Sequence, residues 1–280
     1  MTRLTADNLD GFFPKIHYLD GYLEETTGLG LRALACEAAG VAEADIDFDA
    51  LSVAVVPVTS GKGVIRGFSE TVAETIRSLG IDTVVTDACD VAGVAEAVSH
   101  GFDIVLMADD DRFIAVDRKR GVFSDNVWST ARGYVTALRL AAGGSLEGMT
   151  VLIIGAGRVG GTASTMLLEE GARVEVVDIR REKTERLARN VPGIVPRFDL
   201  AAAISENLLI LNASPGKISG RNVREGAIIS SPGVPYAFDG EGEAKAKKII
   251  HDILGLGVAV MVVSAANPRD SHIREEIKLG

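Results

Sequence analysis

Cys36 and Cys89 are the only cysteines in this 280-residue chain, and they form no paired metal-ligand spacing. That scarcity reads as a reduced, cytoplasmic protein in which each cysteine is a small buried hydrophobe rather than a nucleophile. No apolar run approaches the roughly 20 residues needed to cross a bilayer. The opening MTRLTADNLDGFF lacks the basic and then apolar order of a secretory leader, so none is expected. Positive charge is also in deficit. A net charge of −10 argues against nucleic acid or an anionic membrane as partner. The GxSxG elbow, the Walker lysine loop and the HExxH helix are all missing. His17, His100, His251 and His272 lie scattered and read as structural or exposed. No internal repeat or low-complexity tract is visible.

Apolar residues, by contrast, are plentiful at 47%, enough for a substantial core. The length suggests one large domain or two, and the division into two is expected. Strand-like and helix-like segments alternate, which implies right-handed crossovers and a mainly parallel sheet. The expected fold class is α/β. A helical N-terminal cap and an α/β substrate domain (1–123) are followed by a bridging helix (124–147). A Rossmann-type domain (148–280) completes the chain. In the cap, Leu31, Leu34, Ala35 and Ala38 recur at helical spacing and form a buried stripe. Strands are expected at 51–57, 83–86 and 103–108, with helices at about 69–78 and 91–100. Ser124-Asp125-Asn126 offers cap chemistry for a long helix to about Ala142 that carries Trp128 as a packing residue. Further strands are expected at 208–211, 227–230 and 258–263.

The most informative stretch is 150–160, TVLIIGAGRVG. An apolar strand ends in a Gly155-Ala156-Gly157-Arg158-Val159-Gly160 turn, and a helical pattern follows. A second apolar run, 174–177, ends at Asp178. This order is that of a dinucleotide-binding βαβ unit. Gly155 permits the tight turn, Gly157 lets backbone N–H groups approach a pyrophosphate, and Gly160 lets helix pack on strand. The helix N-terminus turns its partial positive charge toward the phosphates. Asp178 is placed to accept hydrogen bonds from the adenosine ribose hydroxyls. A carboxylate there repels a 2′-phosphate and favours NAD over NADP, although Arg180 and Arg181 follow closely and suit a phosphate.

Ligands in open α/β sheets bind beyond the carboxyl ends of the strands. Asn212-Ala213-Ser214-Pro215-Gly216 and Ser230-Ser231-Pro232-Gly233 stand at such ends. Asn212, Ala213, Ser214, Ser231 and Pro232 are therefore candidates to border the nicotinamide, or else simple turns. In the first domain, residues 58–63 and Asp109-Asp110-Asp111 also follow strands. Three successive carboxylates repel one another and need solvent, a cation or hydrogen-bond donors. The run is either a solvated turn or, facing a cleft between domains, a holder for an ammonium group. No histidine or second acidic cluster is placed to complete a metal site.

VPVTSGKGVIRGFSET (56–71), TDACDVAG (86–93), LMADDDRFIA (106–115), GAGRVG, SSPGVP (230–235) and LGLGVAVM (254–261) occur in that order. Together they resemble the pyrrolysine-forming dehydrogenases, the pyrrolysine synthase family, from the N-terminus to about Ser264. The family's turn is often GLGKVG; GAGRVG keeps all three glycines. Residues 265–280 read as an extension without an assigned role.

The resemblance implies the last step of pyrrolysine biosynthesis. L-Lysine bearing a 3-methyl-D-ornithyl group on its side-chain nitrogen is oxidised at the carbon carrying the terminal amine. The hydride passes to NAD⁺, and the imine gives an aldehyde that cyclises with loss of water. It also implies a homodimer, with a helical N-terminal region that closes over the substrate. Residue by residue, Asp109 matches an aspartate implicated in handling the reacting amine. Leu4 matches a leucine that contacts substrate, and Ser60 a serine beside the substrate. Asp110 and Asp111 are left open. An alkyl amine ionises near 10.4 and must lose a proton before its hydride can leave. Asp109 is either the proton acceptor or an ionised anchor for the ammonium. Two other functions stay open: another NAD-dependent amino- or imino-acid oxidoreductase, and a non-enzymatic NAD sensor.

Overall fold

In the computed structural model, residues 4–5 and 12–267 are described. Most of the extension, residues 268–280, and His272 with it, lies outside them. The chain forms two compact units. One holds Tyr22–Leu29 and Ala131–Ile253. The other holds Gly30–Thr130, with the described residues up to Gly21 and those from Leu254 onward.

Helix α1 (Phe12–Thr27) is divided between the units after Gly21, and helix α2 (Leu31–Ala39) belongs to the leading unit. Asp20 Oδ1 accepts from Leu31 N at 2.7 Å and so tethers the start of α2 to α1. The stripe Leu31, Leu34, Ala35 and Ala38 is buried, as its spacing demands. Burial pushes the Cys36 thiol in the same helix up to about 11, which leaves it inert.

Strand β1 (Ser52–Val56), helix α3 (Phe68–Arg77), strand β2 (Asp82–Val85), helix α4 (Asp90–Ser99) and strand β3 (Ile104–Ala108) follow. β1 pairs in parallel with both β2 and β3. Strands β4 (Phe113–Asp117) and β5 (Val122–Asp125) then add an antiparallel hairpin, giving the order β2-β1-β3-β4-β5. The sequence reading did not foresee this hairpin. Its strands alternate buried and partly buried residues over only four or five positions, too short a signal to stand out.

Helix α5 (Asn126–Ala141) comes next, and the division between units falls within it, between Thr130 and Ala131. Asp125 Oδ1 accepts from Val127 N at 2.8 Å at its start. Trp128 is half-buried.

The second unit alternates strand and helix: β6 (Thr150–Ile154), α6 (Arg158–Glu169), β7 (Arg173–Val177), α7 (Arg181–Asn190) and β8 (Ile194–Arg197). Then come α8 (Leu200–Glu206), β9 (Leu209–Asn212), β10 (Ala227–Ser230), α9 (Gly240–Lys245) and β11 (Ala246–Ile250). All six strands are parallel, in the order β11-β10-β9-β6-β7-β8. Numbered along the chain, that is 3-2-1-4-5-6 read from β8, the Rossmann order. Pro196 is tolerated because β8 is the edge strand. Leu152, Ile154, Ile210 and Ile229 pack into one core with Phe238.

The last helix, α10 (Gly255–Ala266), corrects the strand expected at 258–263. An unbroken apolar run fits a buried strand or a buried helix equally, and its length of 12 residues decides for helix. Its residues from Gly255 to Ala265 are all buried. It packs on α2, α3, β4 and β5, so the chain returns to the leading unit, where the reading had extended the second domain over 148–280. Arg120 fixes its end by donating to the carbonyls of Ala265 and Asn267. Among the described residues, no helix is long and apolar enough to cross a membrane.

Asp103, just before β3, accepts from Ser52 N at 3.0 Å and Ser52 Oγ at 2.8 Å, and pairs with Lys119 Nζ at 2.6 Å. Burial alone would raise its carboxyl, but the Lys119 and Ser52 donors outweigh burial and hold it below the usual aspartate range. Its stabilisation is therefore present above the unfolded value near 3.9 and is lost as pH falls through the lowered folded value. Asp103→Ala should lower the unfolding midpoint by about 2–5 °C at pH 7. In melts recorded from pH 7 to 3, the difference from wild type should narrow below about pH 4.

Candidate functional site

The carboxyl ends of β6, β7, β9 and β10 gather the residues singled out for a dinucleotide. After β6 the chain turns through Gly155, whose φ of +104° suits glycine. Its N–H donates to Val177 O at 2.8 Å, which joins the ends of β6 and β7. Gly160 stands above it on α6. A Cβ on Gly160 would lie 1.9 Å from the Gly155 carbonyl oxygen, so the helix approaches the strand to within glycine distance. Gly157 is the N-cap of α6, makes no side-chain cap bond and is followed by no acidic residue in the first turn. A Cβ there would meet nothing within 4 Å, so the space before the helix end is open. Arg158 beside it is exposed and Val159 half-buried. An open, uncapped helix start preceded by the small residues Gly155, Ala156 and Gly157 fits a phosphate group.

Asp178 closes the β7 end. Its Oδ2 accepts from Ala156 N at 2.8 Å and its Oδ1 from Arg180 N at 2.9 Å, so the carboxylate is locked beside the glycine turn. Arg181 turns away. Its Nε pairs with Glu185 at 2.9 Å, and its guanidinium lies 4.1 Å over the Phe198 ring. Ile179, next to Asp178, is fully exposed.

β9 begins the second half of the sheet, where the strand order reverses beside β6. Ala213 N donates to Ile154 O at 2.8 Å across this switch point. Asn212 is fully buried. Its Nδ2 donates to Ser214 O and Ser231 Oγ, both at 3.2 Å, and its Oδ1 accepts from Ser214 Oγ at 2.9 Å. Gly233 N donates to Asn212 O at 3.0 Å. Asn212 thus ties the Ser214 and Ser231–Gly233 turns together, with Pro232 half-buried between Ser231 and Gly233.

Sequence reasoning missed a second group on this edge. His251 follows β11 directly, and its Nδ1 meets Ser231 O at 2.8 Å. A carbonyl only accepts, so Nδ1 carries the proton here. The Tyr236 ring lies 4.9 Å from the imidazole. Tyr236 Oη is buried and has no hydrogen-bond partner among the described residues, and burial raises its phenol. Tyr134 of α5 hydrogen-bonds the carbonyl of Asp252 at 2.8 Å and its carboxylate at 3.1 Å. Burial, then the Asp252 charge, push that phenol well up. Recognising β11 as a strand would have flagged His251 as a strand-end residue.

In the leading unit, two of the three expected substrate residues follow strands, Ser60 after β1 and Asp109 after β3, while Leu4 precedes the first helix. Ser60 and Asp109 are exposed and Leu4 is half-buried. Asp109 Oδ1 accepts from Asp111 N at 2.8 Å and Arg112 N at 2.7 Å, and Asp109 N donates to Arg112 O. Among the described residues, its Oδ2 takes no hydrogen bond. His100 is exposed, its Nδ1 meets the Glu96 carbonyl at 2.9 Å and its ring lies 6.5 Å from that of Phe102. The side chain of His17 is not among those described. No group of His, Cys, Asp or Glu among the described residues is arranged to hold a metal.

The strand order and the glycine turn define a Rossmann-type α/β protein. Residues 11–124 match the family model described as pyrrolysine biosynthesis protein PylD, N-terminal domain. The chain is 32% identical over 267 residues to the pyrrolysine synthase of Methanosarcina barkeri, covering 94% of this chain and 98% of that protein. It is 30% identical over 272 residues to the pyrrolysine synthase of Methanosarcina acetivorans, covering 94% and 99%. The chain belongs to the pyrrolysine synthase family. Two solved structures share its fold. Quinate dehydrogenase from Corynebacterium glutamicum, in complex with NAD, superposes with a TM-score of 0.51 at 14% identity, covering 77% of this chain and 92% of that one. Shikimate 5-dehydrogenase from Thermus thermophilus, in complex with NADP(H) and shikimate, gives 0.51 at 19% identity, covering 77% and 91%.

The Gly160 approach yields a direct check. Gly160→Ala places a methyl group against backbone and should cost about 1–3 kcal/mol of stability. Urea unfolding measures it, and unchanged stability would show that the β6–α6 turn can yield.

Proposed function

We propose that this protein is an NAD-dependent amine dehydrogenase that forms pyrrolysine from L-lysine-Nε-3-methyl-D-ornithine. The full-length relationship to the pyrrolysine synthases carries this reading. The glycine turn on a Rossmann sheet supports the cofactor. We read the working form as a cytoplasmic homodimer, on the family resemblance.

In this reading, the first N–H groups of α6, from Gly157 through Arg158 and Val159, hold the pyrophosphate. Gly155 and Gly160 let the turn approach it closely. Asp178 accepts from the adenosine ribose hydroxyls. Because Arg181 is engaged by Glu185 and Phe198, it gives little help to a 2′-phosphate, and NAD is preferred. Asn212 holds Ala213, Ser214, Ser231 and Pro232 as one polar border for the nicotinamide end. When bound, the nicotinamide supplies the hydride acceptor.

The substrate falls to the leading unit. Leu4 offers apolar surface and Ser60 a hydroxyl. Asp109 keeps Oδ1 on its own turn and turns Oδ2 to the terminal ammonium, holding it as an ionised anchor. The ammonium passes its proton to water, and the neutral amine is then oxidised to the imine. Water converts the imine to the aldehyde with release of ammonia. The ornithyl α-amine condenses with the aldehyde, losing water to close the pyrroline.

Purified protein, the lysyl-methylornithine substrate and NAD⁺ should yield NADH together with the mass of pyrrolysine. Silence with this substrate but turnover on another amine would move the protein to a different amine dehydrogenase, and binding of NAD⁺ without any turnover would make it a sensor. Asp109→Asn keeps the Oδ1 acceptor and removes the charge. It should cut kcat at least about 100-fold while NAD⁺ affinity stays within about twofold. Asp178→Ser should narrow the preference for NAD⁺ over NADP⁺, read as the ratio of kcat/KM for the two cofactors.

A further inference from the structure

Two carboxylates outside the assigned site hold the loop that presents Ser60. Ser60 lies between Thr59 and Gly61-Lys62 in the segment leaving β1. On one side, Asp90 Oδ1 accepts from Thr59 N at 2.7 Å and Asp90 Oδ2 from Thr59 Oγ1 at 2.5 Å. On the other, Asp110 Oδ2 accepts from Lys62 N at 2.9 Å. The two tethers come from different strand ends, since Asp90 opens α4 after β2 and Asp110 follows β3.

The backbone is shaped around both tethers. Asp90 has a φ of +54°, and among the described residues no other non-glycine residue has a positive φ. Aspartate accepts that conformation more readily than most residues, and Asp90 N is fixed to Pro57 O at 2.9 Å. Gly61 has a φ of +68°, and a Cβ on it would fall 2.3 Å from Asp110 Oδ2. The carboxylate therefore occupies the place a side chain would take. The hydrogen bonds from Thr59, side chain first and backbone second, hold the Asp90 carboxyl below its ordinary value, so its tether is ionised at neutral pH.

We infer that Asp90 and Asp110 are positioning residues for substrate: they grip the chain on either side of Ser60 and fix its hydroxyl for the amino-acid ligand. This rests on the functional reading given above. In the acidic run, the first two carboxylates then have separate duties, Asp109 toward the substrate amine and Asp110 toward the Ser60 loop. An untethered loop keeps Ser60 but spreads it over many conformations, and ordering it on binding weakens substrate affinity. The cofactor is untouched because its residues lie in the other unit.

The test compares Asp110→Ala, Asp110→Asn, Asp90→Ala and Asp90→Asn with wild type. KM for lysyl-3-methylornithine and kcat are measured at saturating NAD⁺, with NAD⁺ affinity determined separately. Amide exchange at Thr59 and Lys62 is followed on the same proteins. Each alanine variant should raise KM about tenfold, with kcat within about threefold and NAD⁺ affinity unchanged. Each asparagine variant retains an acceptor oxygen and should recover most of that loss. Exchange should accelerate at Lys62 in Asp110→Ala and at Thr59 in Asp90→Ala. The inference is overturned if the alanine variants leave KM unchanged, if asparagine is as damaging as alanine, or if NAD⁺ affinity falls in parallel. Wild-type silence with this substrate would overturn the functional reading alone. Site-specific faster exchange in the alanine variants would then uphold the tethers, and unchanged exchange would overturn them.

Discussion

The start of helix α6 presses on the backbone that leaves β6, and only hydrogen atoms separate them. The Gly160 position lies so near the Gly155 carbonyl that a methyl group has no place. That closeness aims the uncapped end of α6 past Gly157 into open space. It also sets the distance from β6 to Asp178, whose carboxylate is locked onto Ala156 N. Move the helix outward by the width of a methyl group and the first N–H groups of α6, the Asp178 carboxylate and the switch-point bond from Ala213 to Ile154 lose their common frame.

The leading unit uses carboxylates where the second unit uses glycine. Its strand-end loops are polar and exposed, so hydrogen bonds rather than packing must give them shape. Asp109 draws in two backbone N–H groups of its own turn, Asp110 reaches Lys62, Asp90 holds Thr59, and Glu96 accepts from Asp87 and Ala88. Each is a side-chain carboxyl oxygen accepting from a backbone donor. The donors to Asp109 and Asp110 also offset part of the repulsion between these adjacent carboxylates.

Much of this was written in local sequence. The βαβ unit at 150–178 was legible because glycine spacing, a buried strand and a terminal acid all answer to short-range constraints. Helix α3 announced itself by its period and α5 by the cap chemistry at its start, while the edge strands β8 and β11 left no such mark. The family motifs added Leu4, Ser60 and Asp109, which no periodicity marks. Tertiary structure decided the rest. Whether 258–263 was strand or helix depended on the surface it meets, since an apolar run satisfies either. The β4–β5 hairpin was hidden because its strands are short. His251, Tyr236 and Asn212 became one polar border only when β9, β10 and β11 lay side by side. Asp90 and Asp110 are 31 and 48 residues from the amides they hold. Residues that far apart meet only through the sheet, because hydrogen bonds are made across space while sequence patterns report only neighbours along the chain.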